Sequence, residues 1–220
     1  MNRNLLFPLA LLLILAVAFS SAQVKMAVGA KVGLNLGNVS YDPGLPSGIT
    51  QSSRTGVVGG GTFLMMFSGV PLGVEADILY VMSGTKLEGD VRTPTGVVKL
   101  TQTEKVSFLQ IPVLLVGKFP TKSIVSPYVY AGPALGIVLS AKTLVEAPGY
   151  ESSETDSKSE VNSTDFALVF GGGAEFMVAK KIGITADVRY SLGLSDLSKD
   201  ENSKVKSRNF MFFAGVLFHL

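Results

Sequence analysis

Ile182-Gly183-Ile184-Thr185-Ala186-Asp187-Val188-Arg189-Tyr190-Ser191-Leu192-Gly193-Leu194 decides how this chain folds. Every even position is apolar, and every odd position is small or polar. A period of two held over 13 residues is a β-strand with two unlike faces. Met26 to Gly37 repeats it: Met26, Val28, Ala30, Val32, Leu34 and Leu36 oppose Ala27, Gly29, Lys31, Gly33, Asn35 and Gly37. Leu72 to Gly84 sets Val74, Ala76, Ile78 and Tyr80 against Gly73, Glu75, Asp77 and Ser83. Looser alternation marks 55–68, 105–119, 127–142, 164–178 and 207–220, with Gln110, Lys118, Lys142 and Glu175 on the polar side.

These runs make eight strands of about 12–16 residues. Soluble strands usually hold about 5–6 residues, whereas tilted membrane-spanning strands need about 9–11. Long connections (38–54, 85–104, 143–163, 196–206) alternate with short ones (69–71, 120–126, 179–181). Long loops at one end and tight turns at the other predict an all-β fold, an eight-stranded antiparallel transmembrane β-barrel with long outer loops and short periplasmic turns. Segment 143–163 sets Glu146, Glu151, Glu154, Asp156 and Glu160 against Lys158, and reads as a solvated, mobile loop.

Composition fits this reading. Of 220 residues, 47% are apolar and 16% charged, against about 25% charged in soluble domains. The mean hydropathy is +0.40. Such a chain is not disordered. Without cysteine it has no disulfide scaffold, thiolate metal site or thiol catalysis. The single histidine, His219, falls at the periplasmic end of the last strand, so neither catalysis nor a metal site is expected. A net charge of +2 is too small to grip nucleic acid. Gly59-Gly60-Gly61 and Gly171-Gly172-Gly173 lack the spacing of phosphate-binding loops and read as strand glycines of a closely packed wall. No cofactor is expected.

Residues 1–22 read as a secretory signal peptide, and 23–220 as the barrel domain. Arg3 precedes an apolar run from Leu5 to Phe19, and Ser20-Ser21-Ala22 offers small residues for cleavage. The run is shorter than the ~20 residues a membrane helix needs, and Pro8 interrupts it. Export without cysteine suits a bacterial envelope protein.

The uniform face is large and aliphatic, and the opposing face is Gly, Ser, Thr and charge. Eight strands enclose only enough room for side chains, so the small and charged face belongs inside and the apolar face meets lipid. Inward charges are then Lys31, Lys118, Lys142 and Arg189 against Glu75, Asp77, Glu175 and Asp187, four of each sign. Unpaired buried charge is costly, so these eight are expected to pair and plug the lumen. The rival reading is a narrow ion path. Phe67, Phe119, Phe176 and Phe218 fall near the lower ends of four strands on the outward side, which predicts a periplasmic aromatic girdle.

Gly29-Ala30-Lys31-Val32-Gly33-Leu34-Asn35 resembles the opening strand of the PorT-like outer-membrane β-barrel family. So do Leu109 to Leu115, Pro127 to Pro133, Phe170 to Phe176 and Arg189 to Leu194, in that order. The resemblance implies a small barrel in the bacterial cell outer membrane, of a family that includes porin-like members and one associated with secretion and gliding machinery. It implies outer-membrane lipid around the barrel, the barrel assembly machinery as partner during biogenesis, and an unidentified envelope protein as partner afterwards. A monomer with a largely plugged lumen is expected, acting as a structural or interaction component accessory to secretion or surface machinery, and not as an enzyme. A small porin-like channel for ions or small solutes is the alternative.

Overall fold

Each run of alternation pairs with the next run of the chain, and the last returns to the first. The computed structural model describes residues 24–93, 96–119, 121, 123–200 and 204–220. The predicted signal peptide, 1–22, lies outside them. The strands are β1 (Val24–Asp42), β2 (Ile49–Phe67), β3 (Leu72–Thr93), β4 (Gly96–Lys118), β5 (Val125–Glu146), β6 (Ser153–Asp156), β7 (Thr164–Ala179), β8 (Ile182–Gly193) and β9 (Lys204–His219). Eight of them run in the order β4-β3-β2-β1-β9-β8-β7-β5, and a β4–β5 pairing closes the ring. Every pairing is antiparallel. The ninth strand, β6, is an addition outside the ring, paired to β5 alone.

Register fixes the shape. From Met26 the partners run Met65, Val74, Leu115, Ala131, Phe170, Tyr190, Phe210 and back to β1 at Leu36. One circuit therefore climbs ten residues along β1, from 26 to 36. With a rise of ~3.3 Å per residue and strands ~4.8 Å apart, that stagger means a tilt of about 40° and a radius of about 8 Å. The interior holds side chains and little else.

Alternation then sorts the two faces. On β8, Val188 is 44% exposed while its neighbours Asp187 and Arg189 are 5% and 0% exposed. Val32, Ile78, Leu115, Val129, Phe170 and Phe212 likewise stand exposed on the outer face. The inner face departs from expectation, because it is not only small and charged. Val58, Leu79, Val81, Phe108, Val138, Met211 and Phe213 pack there as one cluster. Leu64, Leu114, Val116, Tyr128, Tyr130 and Leu217 pack as another. Alternation is weak on β2, β4 and β5 because both of their faces carry apolar residues.

Two predicted loops are mostly strand. Segment 85–104 is the upper part of the β3–β4 hairpin, paired from Thr85↔Glu104 up to Thr93↔Gly96. Segment 38–54 contributes the end of β1 and the start of β2, leaving only 43–48 as connection. Above the apolar belt both faces of a strand meet water, so the sequence turns polar while the backbone goes on pairing. Lys86, Glu88 and Asp90 still alternate with Leu87, Gly89 and Val91. Hydrophilicity accompanies loops without causing them.

Segment 143–163 is not a free loop either. β7 begins at Thr164, opposite Ile137, so β5 outruns its neighbour. β6 covers the exposed edge through Lys142↔Asp156 to Val145↔Ser153. An uncovered edge would invite pairing with another chain.

Candidate functional site

The inner face carries a buried cluster of ionisable side chains, and β1, β3 and β8 set its centre. Lys31 on β1 reaches Glu75 on β3, Nζ to Oε1 2.6 Å, and lies 4.0 Å from Asp187 Oδ2 on β8. Arg189, two residues along β8, donates from Nη1 to Asp77 Oδ2 at 2.9 Å and from Nη2 to Glu75 Oε1 at 3.3 Å. Two tyrosines of β5 complete the group. Tyr130 donates its hydroxyl to Asp187 Oδ1 at 2.5 Å, and Tyr128 donates to Oδ2 at 3.2 Å. The Arg189 guanidinium donates from Nε to the Tyr130 hydroxyl at 3.2 Å and stacks 4.9 Å and 5.0 Å from the rings of Tyr130 and Phe213.

Gly171 makes this stack fit. It pairs with both Tyr130 and Arg189, and a Cβ there would come within 2.8 Å of the Tyr130 ring and hydroxyl. The glycine triplet on β7 thus leaves room for the aromatic lid over the guanidinium.

The eight predicted charges do not form one balanced network. Lys31, Arg189, Glu75, Asp77 and Asp187 make the central group, with three carboxylates against two cations. The two tyrosine hydroxyls on Asp187 spread the extra negative charge. Lys118 and Glu175 pair with each other nearer the short-turn end. Lys142 is absent from the lumen. A β-bulge between Ser107 and Phe108 on β4 sets Ser140 and Val138 as their partners, leaving Leu139 as the extra residue on β5. One extra residue reverses the alternation beyond it. Lys142 therefore faces out, where it holds Glu154 of β6, Nζ to Oε1 2.8 Å. Lys105 holds the other oxygen, Nζ to Oε2 2.7 Å. The two lysines keep the Glu154 carboxyl down at about 2, chiefly through the hydrogen bonds from Lys105 and Lys142.

Polar partners that charge counting misses fill the rest. His219, the single histidine, meets Glu175, Nε2 to Oε1 2.5 Å. Towards the long-loop end, Asn35 bonds Asn209, Asn209 accepts from Ser83, and Asp165 accepts from Ser195 and Ser207. Tyr128, Tyr130 and Asp165 each share the inward parity of their strands, which is the signal that would have found them.

The long-loop mouth is closed from above. Leu197, in the connection between β8 and β9, is buried in the upper apolar cluster. Its carbonyl accepts from the Asn162 backbone at 2.9 Å, and Asn162 Nδ2 donates to Asp196 O and Ser198 O. Val161 and Ser198 pair as an isolated bridge. The opposite mouth holds a cavity of about 550 Å³ lined by Lys25, Phe67, Val70, Lys118, Phe119 and His219 among others.

The four phenylalanines stand near that short-turn end. Phe119, Phe176 and Phe218 are exposed, Phe67 is half-buried at the last position of β2, and Phe67 and Phe119 border the cavity at that mouth.

Residues 21–199 match the protein family described as outer membrane protein beta-barrel domain. The solved structure of Neisserial surface protein A superposes with a TM-score of 0.51 at 17% identity, over 89% of this chain and 98% of that one. Outer membrane protein W of Escherichia coli follows at a TM-score of 0.43 and 17% identity, over 89% and 97% of the two chains. Ail, the attachment invasion locus protein of Yersinia pestis, gives 0.42 at 17% identity, over 87% and 98%. At these identities the likeness is one of fold. No curated protein matches this chain.

Proposed function

This chain belongs to the outer membrane protein beta-barrel domain family and sits in the bacterial outer membrane, and from that premise we propose that it is a closed barrel acting through its surface rather than through its lumen. One observation carries the reading. Arg189, at 0% exposure, spans the lumen from β8 to Asp77 and Glu75 on β3, with apolar clusters packed in the same interior. A buried arginine in place cannot be passed by a hydrated ion without breaking two charge-assisted bonds. The work is then that of a structural or interaction component, without enzymatic chemistry. The resemblance to PorT-like barrels supports an accessory place beside secretion or surface machinery, with an envelope protein as partner. Phe67, Phe119, Phe176 and Phe218 serve as the periplasmic girdle, since aromatic side chains settle at membrane–water boundaries.

A small porin-like channel is the second reading. Its support is a cavity at each end, about 550 Å³ at the short-turn mouth and 180 Å³ beside Leu197 at the other, which leave the middle of the lumen and the Leu197 closure to be crossed. Planar bilayer recording separates the two. The wild-type protein should stay silent, and Arg189→Ala combined with Asp77→Ala should give openings. Steady wild-type openings would establish the channel instead.

A further inference from the structure

The outer wall of β9 turns abruptly from aromatic to basic. Its outward positions read Phe212 and Phe210, then Arg208, Lys206 and Lys204 towards the long-loop end. The lower part is the apolar belt. Phe210 packs on Phe212 at 5.0 Å between ring centroids, and Tyr190 beside Phe210 packs on Phe170 at 5.3 Å. The three cations stand about 7 Å apart along the strand, directly above that belt.

Among the described residues, their in-register strand neighbours leave the charge largely uncompensated. Across on β1, Arg208, Lys206 and Lys204 face Asn38, Ser40 and Asp42. Only the uppermost cation therefore meets a carboxylate in register. On the other side Arg208 pairs with Leu192 and donates to the Tyr190 hydroxyl at 3.5 Å. Asp196, in the connection that follows β8, is occupied by the backbone N–H groups of Ser198 and Val205.

A cavity lies beside the ladder. Regular β1–β2 pairing runs no higher than Gly37↔Arg54; above it β1 follows β9 and β2 follows β3. The wall parts there around a space of about 470 Å³, lined by Ser40, Tyr41, Leu45, Ile49, Gln51 and Arg208 among others. None of its lining residues is acidic among the described residues.

We propose that Arg208 and Lys206, with this cavity, bind the phosphorylated headgroup of an outer-leaflet glycolipid whose acyl chains lie on Phe210, Phe212 and Leu36. An outer-membrane barrel exposes this height to the headgroup layer of its outer leaflet, where phosphate is the anion at hand. A guanidinium takes phosphate through two parallel bonds, and a lysine adds a mobile point charge. The apolar rows beneath fix the depth of the lipid, so the partner is a lipid and not free phosphate.

The test uses full-length protein folded into nanodiscs of phosphatidylcholine doped with purified bis-phosphorylated lipid A, released and weighed by native mass spectrometry. Wild type should retain lipid A, and K206S/R208S should retain about 25-fold less, at about a factor of five per cation near an anionic surface. The control K86S/K99S, on the β3–β4 hairpin, should retain as much as wild type. Heat-modifiable gel mobility checks that each variant is folded. Equal retention by K206S/R208S and wild type would overturn the proposal, as would equal retention of dephosphorylated lipid A. Complete displacement by millimolar inorganic phosphate would also overturn it, because the site would then be one for the free ion.

Discussion

Glu75 and Glu154 are the same device in two surroundings. Each carboxylate is held by two cations: Glu75 by Lys31 at 2.6 Å and Arg189 at 3.3 Å, Glu154 by Lys105 at 2.7 Å and Lys142 at 2.8 Å. The Glu75 side chain is 4% exposed, and that of Glu154 is 38% exposed. Inside the barrel, water cannot replace a lost partner, so breaking the group leaves an uncompensated charge in a poor solvent. At the rim, water replaces either lysine at once, and holding long side chains in place offsets much of the attraction. Distance alone therefore ranks the two sites as equals, and burial separates them. The inner triad fixes which strands face one another across the lumen, and the outer one only pins a short strand to its neighbour.

The sharpest way to break the comparison is Arg189→Ala. It should destabilise by about 3–5 kcal/mol, measured by urea titration of folding into lipid vesicles. Adding Asp77→Asn should recover part of that loss, with a coupling of about 0.5–3 kcal/mol between the two sites. Strictly additive losses would mean that the central group is not a unit.

Val188→Arg, on the lipid side of the same strand, should cost about 2–4 kcal/mol if it lies near the bilayer midplane. Thr185→Arg, inward and buried against Gly215, should fail differently, by crowding and by adding charge beside Lys31. A harmless Val188→Arg would invert the assignment of faces on which the comparison rests.

Tyr130→Phe sharpens it. Asp187 would keep the Tyr128 hydroxyl and the more distant Lys31, and Arg189 would lose its Nε acceptor, for a cost of about 1–3 kcal/mol in the same titration.

The smallest effect belongs to Glu154. Glu154→Gln should leave global stability unchanged within error, yet speed amide exchange across Ser153–Asp156, read by hydrogen–deuterium exchange. The wild-type clamp should also respond to acid. Its folded carboxyl sits at about 2 against an ordinary 4.5, so its contribution is fully present above 4.5. That contribution fades as the pH falls from 4.5 towards 2. Protection of β6 should hold from pH 7 to about 4.5 and drop below it; a loss centred near neutrality would point to another group.

The legible part of the sequence is where the two faces of a strand differ most. β8 and β1 oppose aliphatic residues to Gly, Thr, Asn and charge, and Lys31, Asp187 and Arg189 could be placed from alternation alone. β4 and β5 could not be read as clearly, because Leu114, Val116 and Tyr128 line the lumen opposite lipid-facing Val113, Leu115 and Val129. Lys142 was misplaced for a single cause: Leu139 is an extra residue, and no periodicity announces it. The polar stretch 85–104 hid a hairpin because composition reports the solvent around a strand, not its hydrogen bonds. The partner of His219 was illegible for a topological reason. Glu175 lies 44 residues away on β7, and the two meet because β7 and β9 flank β8 and both side chains turn to the same face.

The ten-residue stagger has a consequence for the molecules around the barrel. With strands leaning at about 40°, an acyl chain standing upright beside the wall crosses about three strands over a ~25 Å hydrocarbon band. Away from the headgroup site proposed on β9, no bulk lipid follows a single strand. Each solvating chain averages over residues far apart in sequence, such as those of β1, β2 and β3 together. Roughness at one position, as where Gly61 follows Gly59 on the outer face of β2, is shared among several chains and smoothed by their flexibility. The wall can therefore drift in sequence one residue at a time while its solvent feels nearly the same surface.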